Sequence, residues 1–419
     1  MLDLRHIRED PDGVKSALAR RGPGIAERVD ELLTLDGARR SAIATAENLR
    51  AKQKADSADL AAGQKAGADV TQLRENLKAL SGQVKELTAQ ATEADARVAQ
   101  ILRTLPNLAD SSATDEDTVV REVGEPANPV PEPRDHLELA GERIDMERGA
   151  RLSGSRFAYL RGELVLLELA LVRWALEVVG RHGFQPVIPP VLVREHALYG
   201  TGMLPDTEQQ IYRVEADDLY LVGTSEVALA SLHAEEVLDA ADLPLRYAGF
   251  SPCFRREAGA AGRDTRGLFR VHQFDKVEMF SFVAPEDSPS EHERILAIEE
   301  EILSTLQIPY RVVNIAVNDL GASAAKKFDL EAWLPGQGRY RELTSCSNTT
   351  DFQARRLDIR ARPEGGGRPE VLHTLNGTAV AVGRTIIALL ENGQREDGSV
   401  ALPEVLVPFG APALLASAT

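Results

Sequence analysis

The sequence predicts an α+β protein in which a long antiparallel helical hairpin precedes a domain built on an antiparallel sheet with flanking helices. Three observations carry that reading. An unbroken apolar repeat runs from Val70 to Leu105, and a proline-rich acidic stretch follows it. Beyond that stretch, short strand-like runs and a few helices succeed one another without regular alternation, around a central hairpin pattern. Irregular alternation favours an antiparallel sheet over a doubly wound parallel one.

The repeat comes first. Val70, Leu73, Leu77, Leu80, Val84, Leu87, Ala91, Ala94, Val98, Ile101 and Leu105 step by three and four without a slip. That is a coiled-coil seam of about five heptads, on the order of 50 Å long at the helical rise. The preceding segment, Ile25 to about Leu60, is rich in the helix formers Ala, Leu, Lys and Glu. Its seam is weaker: Leu32, Leu35, Ala42, Ala46 and Leu49. Gly63 to Asp69 marks a turn, and two long helices joined by a short turn lie antiparallel. A lead-in over residues 1–24 is helical to Arg20 or Arg21 and stops at Gly22-Pro23-Gly24. By itself such a hairpin most often serves dimerisation or another interaction. Pro106 ends it, which sets an arm at 1–106. A linker at 107–136 contains Pro126, Pro129, Pro131 and Pro133, and a second domain occupies 137–419.

In the second domain the strand-like runs are Arg156–Leu160, Phe184–Val193, Leu219–Val222, Phe250–Phe254, Phe269–Phe282 and Tyr310–Val317. Helices are expected over Glu163–His182, Glu226–Asp239, Ser290–Leu306 and Asp351–Arg360. No GxGxxG or GxxxxGK[ST] pattern is present, so a nucleotide would not be held by a Rossmann or P-loop device.

Composition narrows the class. At 419 residues, 43% hydrophobic and 27% charged, the chain reads as an ordinary soluble protein of two or more domains. The charged N-terminus lacks the apolar core of a signal peptide. The most apolar long run, Leu164–Gly180, is interrupted by Glu168, Arg173 and Glu177, which speaks against a membrane span. Two cysteines, Cys253 and Cys346, lie outside metal-ligand spacing, so the default is a cytoplasmic protein without structural zinc. The net charge of −17 argues at first against a nucleic-acid partner. Its distribution removes the objection: residues 1–110 hold 17 basic and 17 acidic residues, so the whole excess lies further on.

The chemistry concentrates in FSPCFRREAGAAGRDTRGLFRVHQFDKVEMFSF, Phe250–Phe282. Two alternating runs flank a loop at Ala258–Gly267, the pattern of a hairpin with a long connection. Side chains two apart share a face, which groups Arg255 with Glu257, and Arg270 with His272, Phe274, Lys276 and Glu278. Arginines, glutamates and an aromatic ring on one face suit a planar, anionic ligand, although a solvated, salt-bridged face has the same composition.

This hairpin resembles the second signature motif of the class II aminoacyl-tRNA synthetases, in the version found in the seryl-tRNA synthetases. GFQPVIPPVL (183–192, with Pro190) is similar to the first motif, and LNGTAVAVGRTIIALLEN (375–392, with Arg384) to the third. LVGTSEVAL (221–229) and RELTSCSNTTDFQARR (341–356) resemble segments of the seryl enzymes. The resemblance covers essentially the whole chain, with the motifs in order.

It implies a class II fold, homodimeric through the first motif, and a serine–tRNA ligase that forms seryl-adenylate from L-serine and ATP. The seryl group would then pass to tRNA(Ser), held by the arm, and to tRNA(Sec). The implied catalytic residues are Arg255 and Arg384. The implied ATP site adds Arg256, Glu257, Arg270, Val271, Phe274 and Glu342, Leu343, Thr344, Ser345. Residue chemistry agrees: the Arg255 fork suits an α-phosphate and a carboxylate together, and Phe274 can stack on adenine. Glu342 and Ser345 offer hard oxygens to Mg²⁺. Implied serine-binding residues are Thr224, Ser225, Glu226, Arg255, Glu278, Asn376 and Thr378. His272, His373, Cys253 and Cys346 read as structural. Arg39, Arg40, Arg50, Lys52, Lys54, Lys65, Arg74, Lys78 and Lys85 of the arm suit either phosphate contacts or a solvated face. Three rivals stand beside this reading. One is a paralogue with the same reaction in biosynthesis or self-resistance; another is an inactive tRNA-binding relative; the third is a ligase acting on a carrier protein.

Overall fold

The computed structural model describes residues 1–205, 208–258, 262 and 264–418. Two compact units emerge, residues 2–105 and residues 106–419 with Met1.

In the first unit, α1 (Glu27–Lys65) and α2 (Thr71–Thr104) form the antiparallel hairpin. Every residue of the long seam is buried or half-buried. One buried position on α1 is not apolar. Asp36 is fully buried and its carboxylate takes Arg8 at 3.2 Å, Arg39 at 2.9 Å and Arg40 at 3.0 Å. A buried carboxylate is costly unless paired and hydrogen-bonded, and here three guanidinium groups supply the pairing. The lead-in is two helices, Leu4–Glu9 and Pro11–Ala19, parted at Asp10, whose side chain caps the second.

The second unit is organised by an eight-stranded sheet. Its strands are β1 (Thr118–Val123), β2 (Gln185–Val187), β3 (Leu245–Phe254), β4 (Gln273–Val283), β5 (Tyr310–Asn314), β6 (Lys326–Leu334), β7 (Arg339–Thr350) and β8 (His373–Ala381). Their order across the sheet is β1-β5-β6-β7-β8-β4-β3-β2, and only the β2–β3 pair is parallel. The proline-rich stretch 107–136 supplies β1, an edge strand paired with β5.

One face of the sheet is covered by α3 (Glu163–Arg181), α4 (Ser288–Thr305) and α5 (Val382–Asn392). Val277, Met279, Cys346, Leu375 and Ala379 point into that layer. The approach of α4 is closest at Gly377, where an added Cβ would lie 2.3 Å from Ile295 Cγ2 and 2.7 Å from Glu299 Oε1. The opposite face carries polar residues and borders the cavity described below.

Several expected boundaries move. The helix expected over Glu226–Asp239 stops at Ala230 and is followed by a 3₁₀ turn, Ser231–His233. Val237–Asp239 is instead a strand, parallel to Arg360–Arg362. Ala, Glu and Leu favour helix here, but Glu235 sits at φ +65° and its N–H donates to Leu357 O at 2.8 Å, so tertiary pairing overrides propensity. The helix expected over Asp351–Arg360 shortens to Phe352–Leu357 because Asp358 turns left-handed. The hairpin strands end at Phe254 and begin at Gln273, so Arg255, Glu257, Arg270 and His272 lie in the connection, outside strict alternation. Glu257 at φ +51° breaks the extended run.

The tight seam at Gly377 makes a prediction. Gly377→Ala should destabilise the second unit by roughly 1–3 kcal/mol through overpacking, read as a lowered thermal midpoint. An unchanged midpoint would show that α4 has room to move away.

Candidate active site

On the polar face of the sheet lies a cavity of about 510 Å³, lined from β4, β6, β7 and β8 and from residues within 198–203, 210–226, 255–257, 268–271, 321–324 and 383–384. Its residues sort into a cationic end and an acidic end.

At the cationic end Arg255 follows β3. Its Nε donates to Gly223 O at 3.1 Å, its guanidinium carbon lies 5.3 Å from the Phe274 ring centre, and its N–H donates to His272 O at 3.0 Å. Arg270 is held by Glu257 at 3.1 Å and Asp264 at 3.2 Å. Burial works against ionised Asp264, but Arg341 and Arg270 outweigh it and keep the carboxyl below its usual range. Arg384, in the first turn of α5, donates from Nη1 to Glu342 O at 3.0 Å and lies 4.6 Å from the Phe269 ring centre. Burial pulls the Arg384 guanidinium below its ordinary value, the charges of Arg255 and Arg270 add to that, and Glu342 opposes it. Three cations feeling one another across a cavity are an arrangement that a polyanion relieves.

The candidate metal ligands also meet there. Strand alternation would put residues three apart on opposite faces. A bulge in β7, opposite Leu330 and Glu331 of β6, inserts one residue between Glu342 and Thr344. The inserted residue returns Glu342 and Ser345 to the cavity, while Thr344 Oγ1 donates to Glu299 Oε2 at 2.8 Å. Burial would raise Glu342, but Arg384, Lys327 and Arg255 hold it below the ordinary carboxylate range. Among the described residues, no cluster of three or more His, Cys, Asp or Glu is placed to hold a metal ion by itself.

The acidic end is built on β4 and β8. Thr378 Oγ1 donates to Glu278 Oε2 at 3.0 Å, and the bulge between Val277 and Glu278 lets these two strands face each other there. Glu226 Oε1 accepts from Gln353 Nε2 at 2.8 Å and Asn376 Nδ2 at 3.1 Å. Burial, then the charge of Glu278, pushes Glu226 up to about 7; Gln353, Lys276 and Arg255 pull the other way. Thr224 lines the same wall and is buried.

Two anticipated residues lie outside the cavity lining. Ser225 is fully buried behind the wall and donates to Gly249 O at 3.2 Å. Arg256 is exposed, with its N–H on Gln210 O at 2.8 Å. Val271 and Leu343 give the cavity apolar surface. His272 does not line it; its Nδ1 lies 2.9 Å from Arg255 O, where it braces the hairpin. Cys346 is fully buried, and burial pushes its thiol well above the ordinary range.

Sequence reasoning missed Lys276, Lys327, Gln353 and Glu299. Lys276 and Lys327 line the cavity, and Gln353 orients Glu226. The alternation that placed Lys276 with Phe274 and Glu278 was the available signal for the first.

Comparison with known proteins decides the family. The profile of the tRNA synthetase class II core domain (G, H, P, S and T) matches residues 211–393, and that of the seryl-tRNA synthetase N-terminal domain matches 1–109. A serine–tRNA ligase of Acidothermus cellulolyticus is 53% identical over 97% of both chains. The chain belongs to the serine–tRNA ligase family. A second family member, from Streptomyces coelicolor, is 51% identical over 98% of this chain and 97% of its own. Among solved structures, the seryl-tRNA synthetase of Pyrococcus horikoshii complexed with ATP is 42% identical, with a TM-score of 0.95 and full coverage of both chains. A cytoplasmic serine–tRNA ligase of Naegleria fowleri in complex with AMP is 30% identical, with a TM-score of 0.91 over 100% of this chain and 99% of its own. The two profiles divide this ligase-family chain much as its compact units do, since the N-terminal match covers the hairpin and the core match covers most of the sheet.

The buried Glu226 has a measurable consequence. A carboxyl raised from 4.5 to about 7 in the folded protein binds more protons than in the unfolded chain between those values. Its stabilisation is therefore full below the unfolded value and is lost as pH rises through the folded one. Glu226→Gln removes that dependence and keeps the acceptor oxygen. Between pH 4.5 and 7.5 the wild type should lose on the order of 3 kcal/mol more than the variant. Urea midpoints at both pH values check it, and parallel losses would show that Glu226 ionises normally.

Proposed function

We propose that this family member activates L-serine with ATP and transfers the seryl group to the 3′ end of tRNA(Ser), and also to tRNA(Sec). The observation that carries the reading is the polarity of one cavity, with Arg255, Arg270 and Arg384 at one end and Glu226, Glu278 and Thr378 at the other.

In the first step a serine carboxylate oxygen bonds to the α-phosphorus and the bond to pyrophosphate breaks. The carboxylate is already ionised, so no general base is needed and the work is positioning and charge neutralisation. Arg255, at the cationic end with its charge felt by Glu226 at the other, is suited to bridge carboxylate and α-phosphate. Phe274 supplies the stacking surface for adenine, Glu257 an acceptor for its amino group, and Arg270 with Arg384 the partners of the outer phosphates. Glu278 takes the ammonium, with Thr378 beside the substrate hydroxyl. A pocket that hydrogen-bonds a hydroxyl rejects analogues lacking it, because its own polar groups would stay unpaired. In the second step the terminal ribose 3′-OH attacks the carbonyl carbon and AMP leaves.

Glu342 and Ser345 fit Mg²⁺: both are hard oxygens, the carboxyl is held ionised, and two protein ligands leave room for water and phosphate oxygens. Bound there, the ion would neutralise the charge that develops on the leaving pyrophosphate.

Homodimerisation is supported by an apolar face near the first motif. Val165, Leu166 and Leu169 of α3 are 40%, 51% and 58% exposed and Ile188 is 84% exposed, a patch that a second copy would cover. For the arm, Arg39 and Arg40 are committed to Asp36. Arg50, Lys52, Lys54, Lys65, Arg74, Lys78 and Lys85 remain exposed and are the residues proposed for tRNA phosphates.

Arg255→Ala should lower serine-dependent ATP–pyrophosphate exchange by at least about 10²-fold, and near wild-type exchange would reject the assignment. Deleting residues 30–100 should leave exchange within a few-fold and abolish tRNA charging. A comparable collapse of exchange in a folded deletion variant would show that the arm serves adenylation as well.

A further inference from the structure

Among the described residues, Lys276 is the cationic side chain placed inside the acidic end, and no role in the reaction above uses it. It is 6% exposed, on β4 two residues before Glu278 and on the same face. Its Nζ lies 2.6 Å from Glu278 Oε2 and donates to Thr224 Oγ1 at 2.7 Å. The same Glu278 oxygen accepts from Thr378 Oγ1 at 3.0 Å. The ammonium thus ties Glu278 of β4 to Thr224 of the 222–226 segment and reaches Thr378 of β8 through the shared Glu278 oxygen, three side chains that the serine reading assigns to the amino acid.

We propose that Lys276 is the positioning residue of the amino-acid subsite, fixing Glu278 and Thr224 and setting the subsite's charge so that it accepts a single α-ammonium. The inference rests on the serine-pocket reading. The charges facing the group are Glu226 from the short helix at 226–230, Glu278 on β4 itself, and Arg255, which follows β3. Cys253 of β3 feels the Lys276 charge, and Glu299 of α4 feels Glu278 from behind the sheet. Thr224, Ser225, Thr378 and Asn376 are neutral. The Lys276 ammonium offsets Glu278, which it contacts, and opposes the rise of Glu226, so the subsite's charge is set by all three groups, while the substrate carboxylate is left to Arg255. Without Lys276 that offset is lost, and Glu226, already raised by burial and by the charge of Glu278, holds its proton to still higher pH. A protonated acid is a poor partner for an ammonium. The ordinary alternative is a buried ion pair that merely supports the fold.

Serine-dependent and ATP-dependent pyrophosphate exchange as a function of pH separates the two. Exchange by the wild type is the control for the pocket reading itself, and if serine supports none, that reading falls before Lys276 is tested. Given exchange, Lys276→Gln should raise the KM for serine about tenfold or more, as for a lost hydrogen bond to a charged group, with the KM for ATP within about twofold. The acidic limb of kcat/KM for serine should move up by about one pH unit. Lys276→Arg keeps the charge and should leave the limb at its wild-type position, which also tests the proposal if the Gln variant does not fold. An unmoved limb in a folded Lys276→Gln protein, equal rises in both KM values, or a displaced limb in Lys276→Arg would overturn the proposal.

Discussion

The catalytic unit depends on one sheet keeping two incompatible faces apart. Beneath it, α3, α4 and α5 bury an apolar layer; above it, nine charged side chains among the described residues line one cavity. Partly buried charges are tolerable only where their neighbours are held still. The close contact of α4 with β8 at Gly377 is what holds the central strands, and the residues on either side, Asn376 and Thr378, face the opposite way into the pocket. The packing beneath and the chemistry above share the same backbone atoms.

Bulges then adjust what strict alternation would forbid. One residue inserted in β7 lets Glu342 and Ser345 share the cavity, and another irregularity between Val277 and Glu278 sets Glu278 opposite Thr378. The order of the strands supplies the sites; the irregularities supply the aim.

Much of this was legible in the sequence, for identifiable reasons. The arm's seam follows a heptad period, which the intervening turn makes a packed helical hairpin, and the motif residues Arg255, Phe274, Glu278 and Arg384 do line one cavity. What escaped were residues whose surroundings come from distant segments. Glu299, Glu300 and Glu301 are identical in sequence terms. Yet Glu299 is fully buried under the pocket, Glu300 pairs with Arg121, and Glu301 meets His182 at 2.7 Å. Helical rotation of 100° per residue sends each into a different environment, and only the packed structure says which turns inward. Asp36 was hidden likewise, because the three arginines that make its burial tolerable are not all local. The helix expected to Asp239 failed where a strand pairing formed from residues more than a hundred positions away.

Asp36 has a consequence for how the arm would sense a polyanion. It gathers Arg8, Arg39 and Arg40 on one carboxylate near the start of α1, which cancels one of their three positive charges, and Asp95, 2.6 Å from Arg39, cancels a second. Arg50, Lys52, Lys54, Lys65, Arg74, Lys78 and Lys85, all exposed, lie on the half of the hairpin nearer the α1–α2 turn. Each phosphate contact made there releases roughly one condensed counterion. An RNA gripped at this end, as proposed for the arm, would give a salt slope that flattens when the outer cations are removed, so the steepness of a salt titration would report which end of the hairpin is held.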